Sequence, residues 1–234
     1  MEVALGNSGM LIYLKKIREQ TMAAGRRRTL SLLPVAALLM AAGMTNAYSA
    51  PKTLLVLGDS LSAEYGIARG TGWVALLEQR LQAQKIDTRI VNASISGETT
   101  SGGRARLPKL LEKNKPDVVV IELGANDGLR GLPVAAAEAN LRAMGEAARQ
   151  SGAKVVLVGM RMPPNYGRDY AEKFYGVYGK LAKEWKAPLV PFMFEGIADQ
   201  PKLFQADRLH PTAEAHPAIL KNIWPQVAPL LGAR

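Results

Sequence analysis

From about residue 50 onward, short apolar runs alternate with longer stretches at helical spacing. The runs Thr53 to Leu57, Thr88 to Val91, Val118 to Leu123, Lys154 to Val158 and Leu189 to Val190 are predicted strands. The third and fourth are nearly all apolar and β-branched, which suits central strands covered on both faces by helices. Trp73, Leu77 and Leu81 recur every fourth residue, and Val134, Leu141, Met144 and Ala148 mark one side of a second helix. Pro133 suits that helix's first turn, and Gly152 the residue just past its end. A last helix is predicted from near Pro211 to near Leu231, bent at Pro217 and Pro225. Strands alternating with helices, with no internal repeat, predict an α/β fold. Two prolines, Asn165 and Gly167 make Met162 to Gly167 a loop. It follows the fourth strand, at the end where open parallel sheets bind ligands.

The first fifty residues have a different pattern. The basic cluster Arg26 to Arg28 precedes a fifteen-residue apolar run, Leu30 to Met44, and then small residues around Thr45, Asn46 and Ala47. That order is the one found in a cleavable secretory signal peptide. The run is shorter than the ~20 residues a membrane-spanning helix needs and contains Pro34 and Gly43, so no lasting membrane anchor is expected. Met22 is an alternative start, and the arginines before Thr29 leave twin-arginine export as an alternative to the general secretory route. The expected division is a leader over residues 1–47 and a single domain over 48–234, placed in the periplasm or outside the cell. Without any cysteine, neither a disulfide nor a lipid on an N-terminal Cys is available.

Charge changes this picture little. Six of the 30 Lys and Arg and two of the 20 Asp and Glu fall within residues 1–47, so the formal charge drops from +10 to +6 without them. The remaining cations are spread singly among acids, without the basic and aromatic pattern of a nucleic-acid binder. A loose attraction to anionic lipids or acidic substrates is compatible with this charge. Neither a metal nor an organic cofactor is implied, since no cluster of plausible ligands occurs.

The candidate chemistry sits at strand ends. Gly58, Asp59, Ser60 and Leu61 place a serine on a turn leading toward a helix, where unpaired N–H groups could stabilise a forming oxyanion. An N-cap is the plainer reading of Ser60. After the second strand, Asn92 to Gly97 form a loop of small residues, and Gly97 could bring a bare N–H to a ligand or be a simple turn glycine. After the third, Asn126 in Gly124 to Gly128 could aim an amide at the same point or close an Asx turn, with Asp127 serving only that turn. Asp207 and His210, three apart before Pro211, let a carboxylate orient an imidazole whose other nitrogen faces the serine. His216, the other histidine, reads as structural.

Together these segments are identified with a family. Leu57 to Glu64 (LGDSLSAE), Val91 to Glu98 (VNASISGE), Glu122 to Gly131 (ELGANDGLRG), Met162 to Arg168 (MPPNYGR) and Asp207 to His210 (DRLH) resemble the SGNH, or GDSL, hydrolases. Within them the chain is similar to the bacterial periplasmic thioesterase, protease and lysophospholipase group and its arylesterase relatives. The resemblance implies a flavodoxin-like three-layer α/β/α sandwich with a parallel sheet of about five strands. It implies Ser60 as nucleophile, His210 as base and acid, Asp207 as orienting carboxylate, and the oxyanion donors Ser60, Gly97 and Asn126. The loop residues Met162, Pro163, Pro164, Asn165 and Tyr166 would contact the acyl group. Arg208, inside DRLH, departs from the small or apolar residues common there. No G-x-S-x-G occurs, which separates the chain from larger α/β-hydrolases. Two other classes remain open: a non-catalytic acyl- or glycan-binding module, and a nucleotide or flavin binder using Gly102 and Gly103.

Overall fold

The computed structural model describes residues 50–233; the expected leader lies outside the described residues. The elements are β1 (Lys52–Gly58), α1 (Trp73–Ala83), β2 (Thr88–Asn92), α2 (Thr100–Asn114), β3 (Val118–Glu122), α3 (Ala125–Leu129), α4 (Val134–Gln150), β4 (Lys154–Val158), α5 (Arg168–Trp185), β5 (Leu189–Val190) and α6 (His216–Leu231). The five strands form one parallel sheet in the order β2-β1-β3-β4-β5. All five predicted strands are present, and β3, buried at every position, is the central one. Helices α2, α4 and α5 pack side by side, while α1 and α6 pack on each other. These are the two helical layers of an α/β/α sandwich.

The strand order reverses beside β1: the chain moves outward from β1 to β2, then crosses back to β3 on the other side. The crevice beyond the carboxyl ends of β1 and β3 is therefore the topological switch point, where ligands bind in open α/β sheets. Ser60 follows β1 and Asn126 follows β3, so both stand at its rim.

The punctuation of α4 matches its sequence, with Pro133 at the N-cap and Gly152, at φ +91°, just beyond the C-cap Ser151. The last helix starts five residues later than predicted, at His216. Pro211 instead bridges antiparallel to Phe204, with Thr212 N–H donating to Leu203 O at 2.8 Å and Gln205 N–H to His210 O at 2.8 Å. This pairing holds the segment before the helix extended. Gly102 and Gly103 lie in the first turn of α2. A Cβ at 103 would come 2.3 Å from Leu123 Cδ1, so this glycine lets α2 rest on the end of β3 and carries no phosphate loop. No helix among the described residues is long and apolar enough to cross a membrane.

His216 has a structural task. Its buried Nδ1 accepts the Trp73 N–H at 3.0 Å, capping α1, which has no side-chain cap of its own. Burial lowers its pKa from 6.5 to about 4 despite the nearby Glu64 carboxylate. A depressed pKa means stability that is present above the ordinary histidine range and lost as pH falls toward 4. His216→Gln removes this titration, so its melting temperature should fall less steeply than the wild type's between pH 6.5 and 4. Scanning calorimetry across that range checks it; parallel curves would show that His216 does not titrate on unfolding.

Candidate active site

Ser60 lies on the turn that leaves β1, buried beneath the cavity mouth. Its hydroxyl is 2.9 Å from His210 Nε2, and His210 Nδ1 is 2.6 Å from Asp207 Oδ2. With the proton on Nδ1 donated to Asp207, Nε2 is left to accept the serine hydroxyl. Asp207 also fixes its own loop, because Oδ1 accepts the N–H of Leu209 at 2.9 Å and of His210 at 3.0 Å. Partial burial raises the Asp207 pKa, but the His210 ring and these two N–H groups outweigh it and hold the carboxyl down at about 2. The imidazole thus has an ionised partner throughout the neutral range.

The loop is stapled to the serine side of the site. Gln205 Nε2 donates to Tyr65 O at 2.9 Å and Pro211 O at 3.0 Å, joining the segment after Ser60 to the one after His210. The Tyr65 ring lies 4.4 Å from the His210 ring, covering a face of the imidazole. Sequence reasoning missed both Gln205 and Tyr65, which belong to no chemical motif. Arg208 stands in the left-handed region at φ +58°, and this turn brings the Leu209 and His210 N–H groups onto Asp207.

The three expected oxyanion donors differ in their engagement. Among the described residues, neither the Ser60 nor the Gly97 backbone N–H donates to any protein acceptor. Gly97 has φ +79°, open to glycine at little cost, and its carbonyl accepts from Arg130 at 3.0 Å. Asn126 Nδ2 donates to Asp59 Oδ2 at 3.1 Å and to Glu98 O at 3.0 Å, while the Gly128 N–H that an Asx turn would take goes to Gly124 O at 2.9 Å. An oxyanion reaching Asn126 must share one of these hydrogens. Asp127 does not close a local turn either: its carboxylate accepts the Thr100 N–H at 2.8 Å and hydroxyl at 2.5 Å, tying α3 to the start of α2.

A cavity of about 520 Å³ opens over Ser60, His210 and Asn126. Its apolar wall comes from Met160, Met162, Phe192, Phe194 and Phe204, with Arg161 and Arg208 also lining it. Of the expected loop contacts, Met162 and Pro163 line the cavity, whereas Asn165 and Tyr166 do not. Tyr166 instead donates its hydroxyl to Leu129 O at 2.9 Å, and Pro164 opens the short 3-10 turn Pro164–Tyr166. The loop contributes its first residues to the wall and spends its last on anchoring. Gly97 also falls outside the cavity lining. The phenylalanines after β5 were not anticipated, although their position beyond a strand's carboxyl end was a usable signal.

Beneath the serine lies a second set of acids. Asp59 Oδ1 accepts the Leu61 N–H at 3.0 Å, and the side chain is fully buried. Burial pushes the Asp59 pKa up to about 6, against the Leu61 N–H, His210 and Asn126, which lower it. Glu122, also fully buried, is raised well above the carboxylate range by burial and by Asp59.

With this geometry in place, residues 56–218 match the family described as GDSL-like lipase/acylhydrolase. The chain belongs to that family. It is an ester-cleaving hydrolase by this membership. It is 52% identical over 183 residues to esterase TesA of Pseudomonas aeruginosa, covering 78% of this chain and 91% of that protein. It is 44% identical to the thioesterase 1/protease 1/lysophospholipase L1 of Escherichia coli, covering 78% of this chain and 86% of that one. The crystal structure of TesA superposes with a TM-score of 0.75 over 76% of this chain and 99% of that chain, at 52% identity. The esterase EstA of Pseudoalteromonas sp., solved inhibited by monoethylphosphonate, gives 0.73 over 77% and 99%, at 40% identity.

The left-handed Arg208 generates a prediction. A non-glycine residue there costs about 1–2 kcal/mol, of which glycine's greater unfolded-state entropy returns part. Arg208→Gly should therefore raise the melting temperature by about 2–4 °C, read by differential scanning fluorimetry. A lower value would mean that the arginine side chain contributes more than its backbone costs.

Proposed function

We propose that this protein is an exported serine hydrolase that cleaves carboxylic ester and thioester bonds of acyl substrates through an acyl-enzyme. The observation that carries the reading is the continuous relay Asp207, His210, Ser60, at 2.6 and 2.9 Å. His210 Nε2 takes the Ser60 proton as Oγ attacks the acyl carbon, and Asp207 stabilises the imidazolium that forms. The oxyanion is met by the Ser60 and Gly97 N–H groups, which have no other acceptor among the described residues, and by the Asn126 amide. His210 then passes its proton to the leaving group. Water, deprotonated by the same nitrogen, releases the acid and restores the serine.

The apolar wall of Met160, Met162 and the phenylalanines suits an acyl chain, each buried methylene contributing about 0.8 kcal/mol. The substrate range follows the printed names of the relatives: aryl esters as for the arylesterase of Vibrio mimicus, 45% identical, and thioesters and lysophospholipids as for the Escherichia coli protein. The signal-peptide pattern of residues 1–47 supports release into the periplasm or beyond, where residues 48–234 act as a single-domain monomer. Export would separate the enzyme from cytosolic acyl-CoA.

An active-serine phosphonate probe should label the purified protein, and Ser60→Ala should abolish labelling. A labelled Ser60→Ala protein would remove the nucleophile from this scheme. Asn126→Ala should lower turnover of a chromogenic short-chain ester by about 10²–10³ with the fold intact. Unchanged turnover would take Asn126 out of the oxyanion site.

A further inference from the structure

The relay leaves unused a fully buried carboxyl directly under the nucleophile. Glu122, the last residue of β3, extends Oε2 to both sides of Ser60: it accepts the Asp59 N–H at 3.3 Å and the Ser62 hydroxyl at 2.7 Å. Ser62 Oγ in turn accepts the Trp73 indole N–H at 3.0 Å, so the clamp is braced by the first residue of α1. The other oxygen, Oε1, meets no hydrogen-bond partner among the described residues. Asp59, its neighbour, is served differently, with the Leu61 N–H on Oδ1 and the Asn126 amide on Oδ2.

No Lys or Arg pairs with either acid among the described residues. The titratable groups that face them are His210 across the site, Asp127 on α3 and Tyr178 on α5, whose hydroxyl donates to Leu123 O at 3.0 Å. Two adjacent buried carboxyls without a cation between them cannot both ionise. Donors on both oxygens favour charge on Asp59, and a bare Oε1 disfavours it on Glu122.

We propose that Glu122 is a positioning residue that works as the neutral acid, clamping the chain on either side of Ser60 and leaving the charge on Asp59. Asp59 then serves two ends at once. Its carboxylate holds the Asn126 amide and places a second negative charge toward the imidazolium that forms on His210. The inference rests on Ser60 as nucleophile, which the phosphonate probe tests separately.

Two variants separate the acids. Glu122→Gln keeps a neutral side chain of the same shape, whose carbonyl can accept both donors, and should retain kcat within about threefold. Asp59→Asn removes the charge and turns an amide donor toward another donor; it should lower kcat by about 10–100-fold with little change in KM, as for a misplaced reacting group.

The stability readout is independent of catalysis. A folded-state Glu122 that keeps its proton binds more protons than the unfolded chain once pH exceeds the ordinary glutamate value of 4.5, so this group costs stability as pH rises. Glutamine carries no such cost. The melting temperature of Glu122→Gln minus that of the wild type should grow steadily more positive between pH 4 and pH 8. The proposal is overturned by a Glu122→Gln protein that fails to fold or loses as much kcat as Asp59→Asn, or by a temperature difference that is flat with pH. If the wild type resists the phosphonate while the pH-dependent difference appears, the acylation reading fails and the charge assignment stands.

Discussion

The hydrogen bond between Ser60 and His210 closes a loop of 150 residues, and the rest of the molecule can be understood as what holds its two ends together. One end is rigid because it leaves β1, a strand paired on both sides and buried along nearly its whole length. The other end has no strand beneath it. Its order comes from the Phe204 and Pro211 bridge, the Gln205 staple and the Asp207 cap, a set of local hydrogen bonds on a loop. A parallel sheet delivers residues to one edge, but it cannot by itself deliver a side chain from beyond its last strand. This loop supplies that part.

The sheet was legible because a buried parallel strand is written as a continuous apolar run, and β1, β3 and β4 announce themselves that way. The candidate relay was legible because only two histidines exist and one stands three residues after Asp207. Other features were written in a weaker code. Helix α5 places Phe174, Val177, Tyr178, Leu181 and Trp185 on one buried face, a clean helical spacing that was simply not singled out. Helix α2 hides behind Gly102, Gly103 and Pro108, residues whose local preference is against a helix, and the tertiary reason for Gly103 is its close approach to Leu123 just past β3. The start of α6 was misplaced because Pro211 marks a helix start as often as a paired extended segment, and the partner, Phe204, is named only by the fold.

The site's supports were the least legible of all. Gln205, Ser62 and Trp73 carry no reactive chemistry, and each acts through a hydrogen bond to a residue distant in sequence or to backbone. A motif records the groups that touch substrate, because their chemistry restricts the choice of residue. A support needs only a donor or an acceptor at one point in space, and many residue types can provide it.

Three carboxyls surround one serine, and their surroundings set them apart. Asp207, half exposed and given three N–H donors, is held at about 2; Asp59, buried but with donors on both oxygens, rises to about 6; Glu122, buried with one oxygen bare, goes well above its ordinary range. Similar groups thus yield an ionised orienting group on the loop, a buried carboxylate that holds Asn126 and a neutral clamp, the separation by environment that acid–base sites depend on. A site with all three charged would repel itself in its buried part. A site with all three neutral would leave the imidazolium unsupported. Grading the burial from the loop surface down to the end of β3 avoids both, and the acid held neutral, Glu122, ends the fully buried strand at the centre of the sheet.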